Sequence, residues 1–337
     1  MRKLALPLAL TVILSVVAVM WVQRATLTAA PAAAEAAAVD SLLRLEFYIL
    51  AVFFVLCMVF FLYSLWAFRR REGDTGEGTH FHSHTGLEIA WTVVPVIIVV
   101  AMGYHGARVI ADLKAVDVAK SDGDLEVIVT GQQWSWTFEY PEQGVATTDL
   151  VLPSGQPVYF RLRAVDVIHS FWVPEFRLKM DTIPGKENVL RLTPNEVGDF
   201  KVRCAELCGT RHAYMETPVR VLETADFQAW MDEEIKIAND PTKAGPKVAA
   251  QFGCIGCHSI DGSKLVGPTW QGLVGHEVPL ADGSSVTADD AYLLQSIIDP
   301  SAAIVEGYAD NVMPRDFANR MTEKQINDVI AYIKTLK

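Results

Sequence analysis

Three long apolar runs precede residue 110, and none of similar length follows. The first, 4–22, comes after Arg2 and Lys3 and before an Ala-rich stretch at 28–38. A positive start, an apolar run and small residues form a secretory-signal pattern. The run is also long enough to stay as a membrane anchor. The second, 47–68, carries no charge and ends at Arg69, Arg70 and Arg71. It can cross roughly 30 Å of hydrocarbon, and the arginines favour the cytoplasmic side. It therefore runs inward. The third, 87–107, must return outward. Pro95 inside it is tolerable, because neighbouring helices satisfy freed backbone groups. Everything after residue 108 then lies outside the cytoplasm.

Beyond the spans the period shortens. Segments 125–130, 134–140, 157–164, 187–194 and 198–204 are rich in β-branched and aromatic residues, with Gly and Pro between them. Several short strands at this spacing predict an antiparallel sandwich or barrel. Residues 223–238 read as a helix with Thr224 as its N-cap. A polar link with two prolines and a glycine follows, and then 287–298 and 322–336 read as amphipathic helices. Thr322 and Gln325 form a capping-box pattern. The pattern predicts a multidomain membrane protein: a signal or N-terminal anchor at 1–38, a two-helix transmembrane hairpin at 41–71 and 86–108, an all-β domain at 122–236, a linker at 237–246 and an all-α domain at 247–337.

Net charge is −11 over 337 residues, which argues against a nucleic-acid partner. Four of the five cysteines form two close pairs, Cys204/Cys208 and Cys254/Cys257, each followed by a histidine. That is the arrangement of cofactor sites, not of a disulfide scaffold. Cys57 stands alone mid-span and reads as packing. The loop carrying His80, His82 and His84 reads as solvated, since no Cys or carboxylate completes a ligand set. Glu88 opens the third run, where an acid is ordinary dipole chemistry or a point of proton uptake at the bilayer edge.

The stretch CAELCGTRHAYM holds Cys204, Cys208, His212 and Met215 within twelve residues, and DVIHSFWVPEF upstream supplies His169. Zinc accepts Cys₂His₂ but has no use for a thioether. Thiolate, imidazole and a weak axial Met suit copper. One copper needs one thiolate; two thiolates, two imidazoles and a thioether suffice for two coppers bridged by both sulfurs. The CIGCH run at 254–258 is the signature of covalent c-type haem attachment, with a redox dithiol as the competing use. Cys254 and Cys257 would carry the thioethers and His258 would reach the iron. A downstream Met raises the haem potential. Met313, in the irregular segment NVMPRDF, is the candidate; Met321 directly precedes a helix and reads as packing, and His276 lies too close after the loop.

GQQWSWTFEY, DVIHSFWVPEF, CAELCGTRHAYM and LEIAWTVVP resemble subunit II of haem–copper cytochrome c oxidases, over roughly residues 40–235. NVMPRDF and VGPTWQGLVG resemble class I cytochromes c. The resemblance implies a cupredoxin-like sandwich with the dinuclear copper centre CuA, fused to a cytochrome c domain. It implies that Cys204 and Cys208 bridge both coppers, that His169 and Met215 complete one, and that His212 and the backbone carbonyl of Glu206 complete the other. It also implies that the Glu206 carboxylate serves a magnesium ion at the subunit I interface. Trp134 matches the aromatic through which the family accepts electrons, and Glu88 matches an acid near a proton-channel mouth. Gln132 stands where the family often has His, and Arg315 where it often has a second proline. The implied function is the electron inlet of a proton-translocating cytochrome c oxidase in a bacterial inner membrane. The implied partners are subunit I, other oxidase subunits and an external cytochrome c or equivalent donor. A membrane-tethered carrier without an oxidase is the alternative. A quinol oxidase would lack the copper ligands, and nitrous oxide reductase would need a large catalytic propeller.

Overall fold

The computed structural model describes residues 2–78, 80–115 and 119–337. It opens with α1 (Arg2–Arg24), α2 (Ala36–Ala67) and α3 (Thr85–Ala115). All three are long and apolar enough to cross a membrane. Where the sequence predicts a two-helix hairpin behind a leader or anchor, the structure has a full third helix, α1, packed along α2. Pro95 lies inside α3 without ending it. The head of α3 is capped reciprocally. Leu87 N–H donates to His84 Nδ1 at 3.2 Å, and His84 N–H donates to Glu88 Oε1 at 3.2 Å.

Two five-stranded sheets follow. The strands are β1 (Leu125–Gln132), β2 (Ser135–Tyr140), β3 (Val145–Thr147), β4 (Leu150–Pro153), β5 (Val158–Ala164), β6 (His169–Trp172), β7 (Lys179–Thr182), β8 (Asn188–Leu192), β9 (Gly198–Cys204) and β10 (Glu216–Leu222). One sheet has the order β3-β2-β1-β5-β8 and the other β4-β10-β9-β6-β7. The sandwich is not wholly antiparallel, because β1 pairs in parallel with β5 and β10 with β4. Alternation along the strands builds the core. Val158, Phe160 and Leu162 of β5 and Trp136, Phe138 and Tyr140 of β2, all fully buried, line the inner face of the first sheet on either side of β1. Each such side chain contributes about 1.5–3 kcal/mol. The buried Tyr140 hydroxyl donates to the Val151 carbonyl and accepts from the Val151 N–H, so the ring costs no unpaired polar group.

The register places the chemistry. Phe171 of β6 lies opposite Cys204 at the end of β9, and β9 pairs with β10 up to Arg203 opposite Glu216. His169, Cys204 and Met215 therefore meet at one rim of the sandwich.

The helix α4 (Thr224–Ala238) begins at Thr224, with Glu223 at the N-cap and no side-chain cap bond. Most of the predicted linker is helical. Asp240 accepts from Thr242 N–H at 3.1 Å, Pro241 sits at the first helical position, and α5 runs Pro241–Gln251. The irregular link shrinks to Asn239 and Asp240. The last domain contains a small hairpin the sequence did not predict, β11 (Glu277–Pro279) with β12 (Ser285–Thr287). It continues through α6 (Asp290–Ile298), α7 (Phe317–Arg320) and α8 (Glu323–Ile333). The capping box of Thr322 and Gln325 is formed. Lys247 pairs with Glu234 at 2.5 Å, and Lys324 donates to the Ala238 carbonyl at 2.8 Å, fastening this domain to α4.

Candidate functional site

At the rim of the sandwich five side chains and one carbonyl converge. The sulfurs of Cys204 and Cys208 are 3.7 Å apart. His169 Nδ1 lies 3.9 Å from Cys204 Sγ, and the Glu206 carbonyl oxygen 3.1 Å from it. His212 Nδ1 lies 3.5 Å from Cys208 Sγ, and Met215 Sδ 3.7 Å from it. The ligand atoms of His169, Cys204 and Cys208 all fall within 4.8 Å of one another. His169, Cys208 and Met215 are buried, whereas Glu206 is exposed. All six sequence-predicted metal residues therefore come together.

The donor set suits soft cations. Burial works to raise the Cys204 thiol, but hydrogen bonds with His169, the Glu206 and Ser170 backbone and Cys208 together outweigh it and draw the thiol down. Burial pushes the Cys208 thiol up, and the neighbouring Cys204 pushes it further. A second thiolate this close to the first needs positive charge between them. Sulfur, imidazole and thioether donors select copper over harder ions.

Other side chains position this set. His169 Nε2–H donates to Asp166 Oδ1 at 2.8 Å, which leaves Nδ1 as the nitrogen facing the sulfurs. Gln133 Nε2–H donates to the Cys208 carbonyl at 2.7 Å. Gly209, at φ +123°, lies under both Gln133 and Trp134. A Cβ there would come within 3.0 Å of Gln133 Nε2 and 3.3 Å of the Trp134 ring. Trp134 thus rests directly on the loop between Cys208 and His212, half-buried against the core. Sequence reasoning missed Asp166, Gln133 and Gly209. Only the neighbourhood of Gln133 to Trp134 hinted at any of them.

The second centre is a cavity of ≈ 240 Å³ in the C-terminal domain, lined by Cys254, Cys257, His258 and Met313 among largely apolar residues. Cys254 opens a single 3₁₀ turn, Cys254–Gly256. His258 Nδ1–H donates to the Pro268 carbonyl at 2.8 Å, leaving Nε2 as the free donor atom. Burial lowers the His258 pKa, so the imidazole stays neutral as a ligand must. The ring stacks on Trp270, with centroids 5.1 Å apart and planes 17° apart. A Cβ at Gly267 would lie 2.7 Å from His258 Cε1, so only glycine lets the loop pass so near the ring. Burial raises the Cys254 thiol, the opposite of an activated redox dithiol. An apolar cavity with two thiols, one free imidazole nitrogen and one thioether fits a haem. Met321 also lines it, but is buried in the apolar cluster under α8.

A family profile described as the transmembrane domain of cytochrome c oxidase subunit II matches residues 18–109, and one for its periplasmic domain matches residues 144–222. A profile for cytochrome c matches residues 242–337. Cytochrome c oxidase subunit 2 of Alkalihalophilus pseudofirmus is 34% identical over 302 residues, which are 87% of this chain and 85% of its own. The chain belongs to the cytochrome c oxidase subunit II family. As a subunit II it is part of an oxidase, with membrane helices, a β-sandwich and a helical cytochrome c domain on one chain. The subunit 2 of Bacillus sp. (strain PS3) is 37% identical over 57% of this chain and 59% of its own length. Quinol oxidase subunit 2 of Bacillus spizizenii is 32% identical over 56% of this chain and 61% of its own. Relatedness to subunit II therefore does not by itself decide whether copper is held; the donor atoms at the sandwich rim bear on that.

Trp134 and Glu88, the two remaining sequence-predicted residues, lie apart. Trp134 packs on the loop between Cys208 and His212, and Glu88 is at the head of α3, where it accepts from the His84 N–H.

Proposed function

We propose that this subunit II is the electron inlet of a proton-translocating cytochrome c oxidase in a bacterial plasma membrane, with its sandwich (122–236) and cytochrome c domain (247–337) on the outer side. The carrying observation is the convergence of Cys204, Cys208, His169, His212, Met215 and the Glu206 carbonyl at one rim. Cys204 and Cys208 would bridge two coppers, with His169 and Met215 on one and His212 and the Glu206 carbonyl on the other. Cys254 and Cys257 would bind a haem c covalently, with His258 and Met313 on its iron. Bound there, these groups supply one-electron chemistry between an external cytochrome c or equivalent donor and the haem a and oxygen site of subunit I, where O₂ becomes water.

The chain's own residues shape that chemistry. Asp166 and Pro268 fix the two imidazoles, so neither ring must turn when a charge changes nearby. Buried Met215 and Cys208 keep water from the sulfurs. Trp134, stacked over the Gly209 backbone, offers a π-system between the surface and the copper loop. Leu207 and Tyr214, 79% and 76% exposed on that loop, are apolar faces suited to cover by subunit I. The exposed Glu206 carboxylate would reach a magnesium ion at that interface. Glu88, at the cytoplasmic head of α3, would stand at a proton-channel mouth.

Purification from native membranes tests this reading. A multi-span haem–copper subunit should accompany the chain, and the preparation should reduce O₂ with a reduced c-type donor. A chain purified free of such a subunit, inert toward O₂, would leave only a tethered carrier.

A further inference from the structure

The stretch between α1 and α2 is built into the sandwich. Ala32 N–H donates to the Glu175 carbonyl at 2.9 Å, Asn195 N–H to the Ala32 carbonyl at 3.1 Å, and Ala34 N–H to the Thr193 carbonyl at 2.9 Å. Ala33 bridges Pro194 in antiparallel fashion. Glu35 accepts from the Thr193 N–H at 3.0 Å. Ala32 and Ala33 are 1% and 2% exposed and belong to the same apolar core as Phe176 and Leu192. Arg177 locks both ends of the stretch. Its guanidinium, 6% exposed, donates to Asp40 at 2.6 Å, to Thr28 Oγ1 at 3.1 Å and to the Ala29 carbonyl.

This bears on the N-terminal run. A leader is removed after small residues in an Ala-x-Ala pattern. Between Arg24 and Asp40 that pattern occurs at 30–32, 32–34, 34–36 and 36–38. All four lie in the docked stretch or the first turn of α2, where Ala36 is fully buried. A cut at any of them would detach α1 and strip partners from Glu175 and Asn195, and a cut after Ala34 or later would strip Thr193 as well. Meanwhile α1 is 23 residues, about 34 Å at 1.5 Å per residue, enough to span. With Arg2 and Lys3 inside, it would run outward and deliver the stretch to the outer face where α2 begins.

We propose that α1 is retained in the mature protein as a third membrane span. The residues 28–35 are a strap that closes one edge of the sandwich and ties it to the membrane helices through Arg177 and Asp40. The Ala-rich composition that looks like a processing site is the composition a strap needs to lie flat in a core.

Intact mass and N-terminal peptide mapping of the chain, purified in its native complex, test the span. Peptides from within α1 at full stoichiometry are expected; a mature N-terminus at Ala25 or later would overturn it. A pair of variants tests the strap. Ala33→Asp buries a charge and should lower the thermal midpoint by several degrees or abolish accumulation, whereas Ala34→Asp, at an exposed neighbour, should match the wild type. Equal behaviour of the two would overturn the strap.

Discussion

The side-chain amide of Gln133 donates to the backbone carbonyl of Cys208 at 2.7 Å, across 75 residues of sequence. It ties the Trp134 loop to Cys208. Replacing Gln133 with Leu removes one hydrogen bond, worth about 0.5–1.5 kcal/mol. Copper should then be retained less tightly by up to roughly tenfold in a chelator titration. Reduction by an external donor should slow as Trp134 loses its anchor. Trp134→Leu should slow that reduction while leaving the copper spectrum intact; an unchanged rate would place electron uptake elsewhere.

Asp166 orients His169 from the far side of the ring. Loss of a carboxylate of this kind costs about 10–100-fold in metal affinity. Asp166→Ala should show that loss in copper titrations while covalent haem content stays at the wild-type level. Equal copper affinity would mean that His169 needs no such support.

The two methionines at the haem cavity should separate cleanly. Met313→Ala should remove the low-spin Met signature from the optical spectrum. Met321→Ala should keep that signature but destabilise the domain by about 2–5 kcal/mol, as core truncations do. The reverse result would exchange their roles.

Asp124 and Arg191 form a bidentate pair at 2.8 Å between the start of β1 and β8, with the carboxylate 5% exposed. The Arg191 guanidinium holds the Asp124 carboxyl below the usual range. A depressed carboxylate stabilises the fold above its unfolded value of about 3.9 and loses that contribution as pH falls through the lower folded value. Asp124→Ala should cost about 3–5 kcal/mol near neutrality. Its thermal midpoint should approach that of the wild type in strong acid; a gap independent of pH would show that packing, not charge, is at stake.

The ligand loop was legible because four donors fall within twelve residues, and CIGCH because two thioethers and an axial ligand share one turn. His169 was legible less directly, since a lone histidine on a strand usually looks structural and only the Cys-rich loop downstream gives it a role. Asp166 and Gln133 act through hydrogen bonds that cross loops, which no local spacing reveals. The start of α5 was misread as linker because Asp240 and Pro241 are turn residues as well as helix-starting ones. The stretch at 28–38 reads two ways for a related reason. Small residues mark both a processing site and a tightly packed edge, and only the partners at Thr193, Pro194 and Asn195 tell them apart.

The central claim is that the rim of the sandwich holds two coppers beside a separate covalent haem. Metal and haem quantification on the purified chain, joined to its electron-spin spectrum, tests it most directly. Two coppers per haem, with one unpaired electron shared over both nuclei, is the predicted result. One zinc with no copper, or a signal from a single copper, would contradict it.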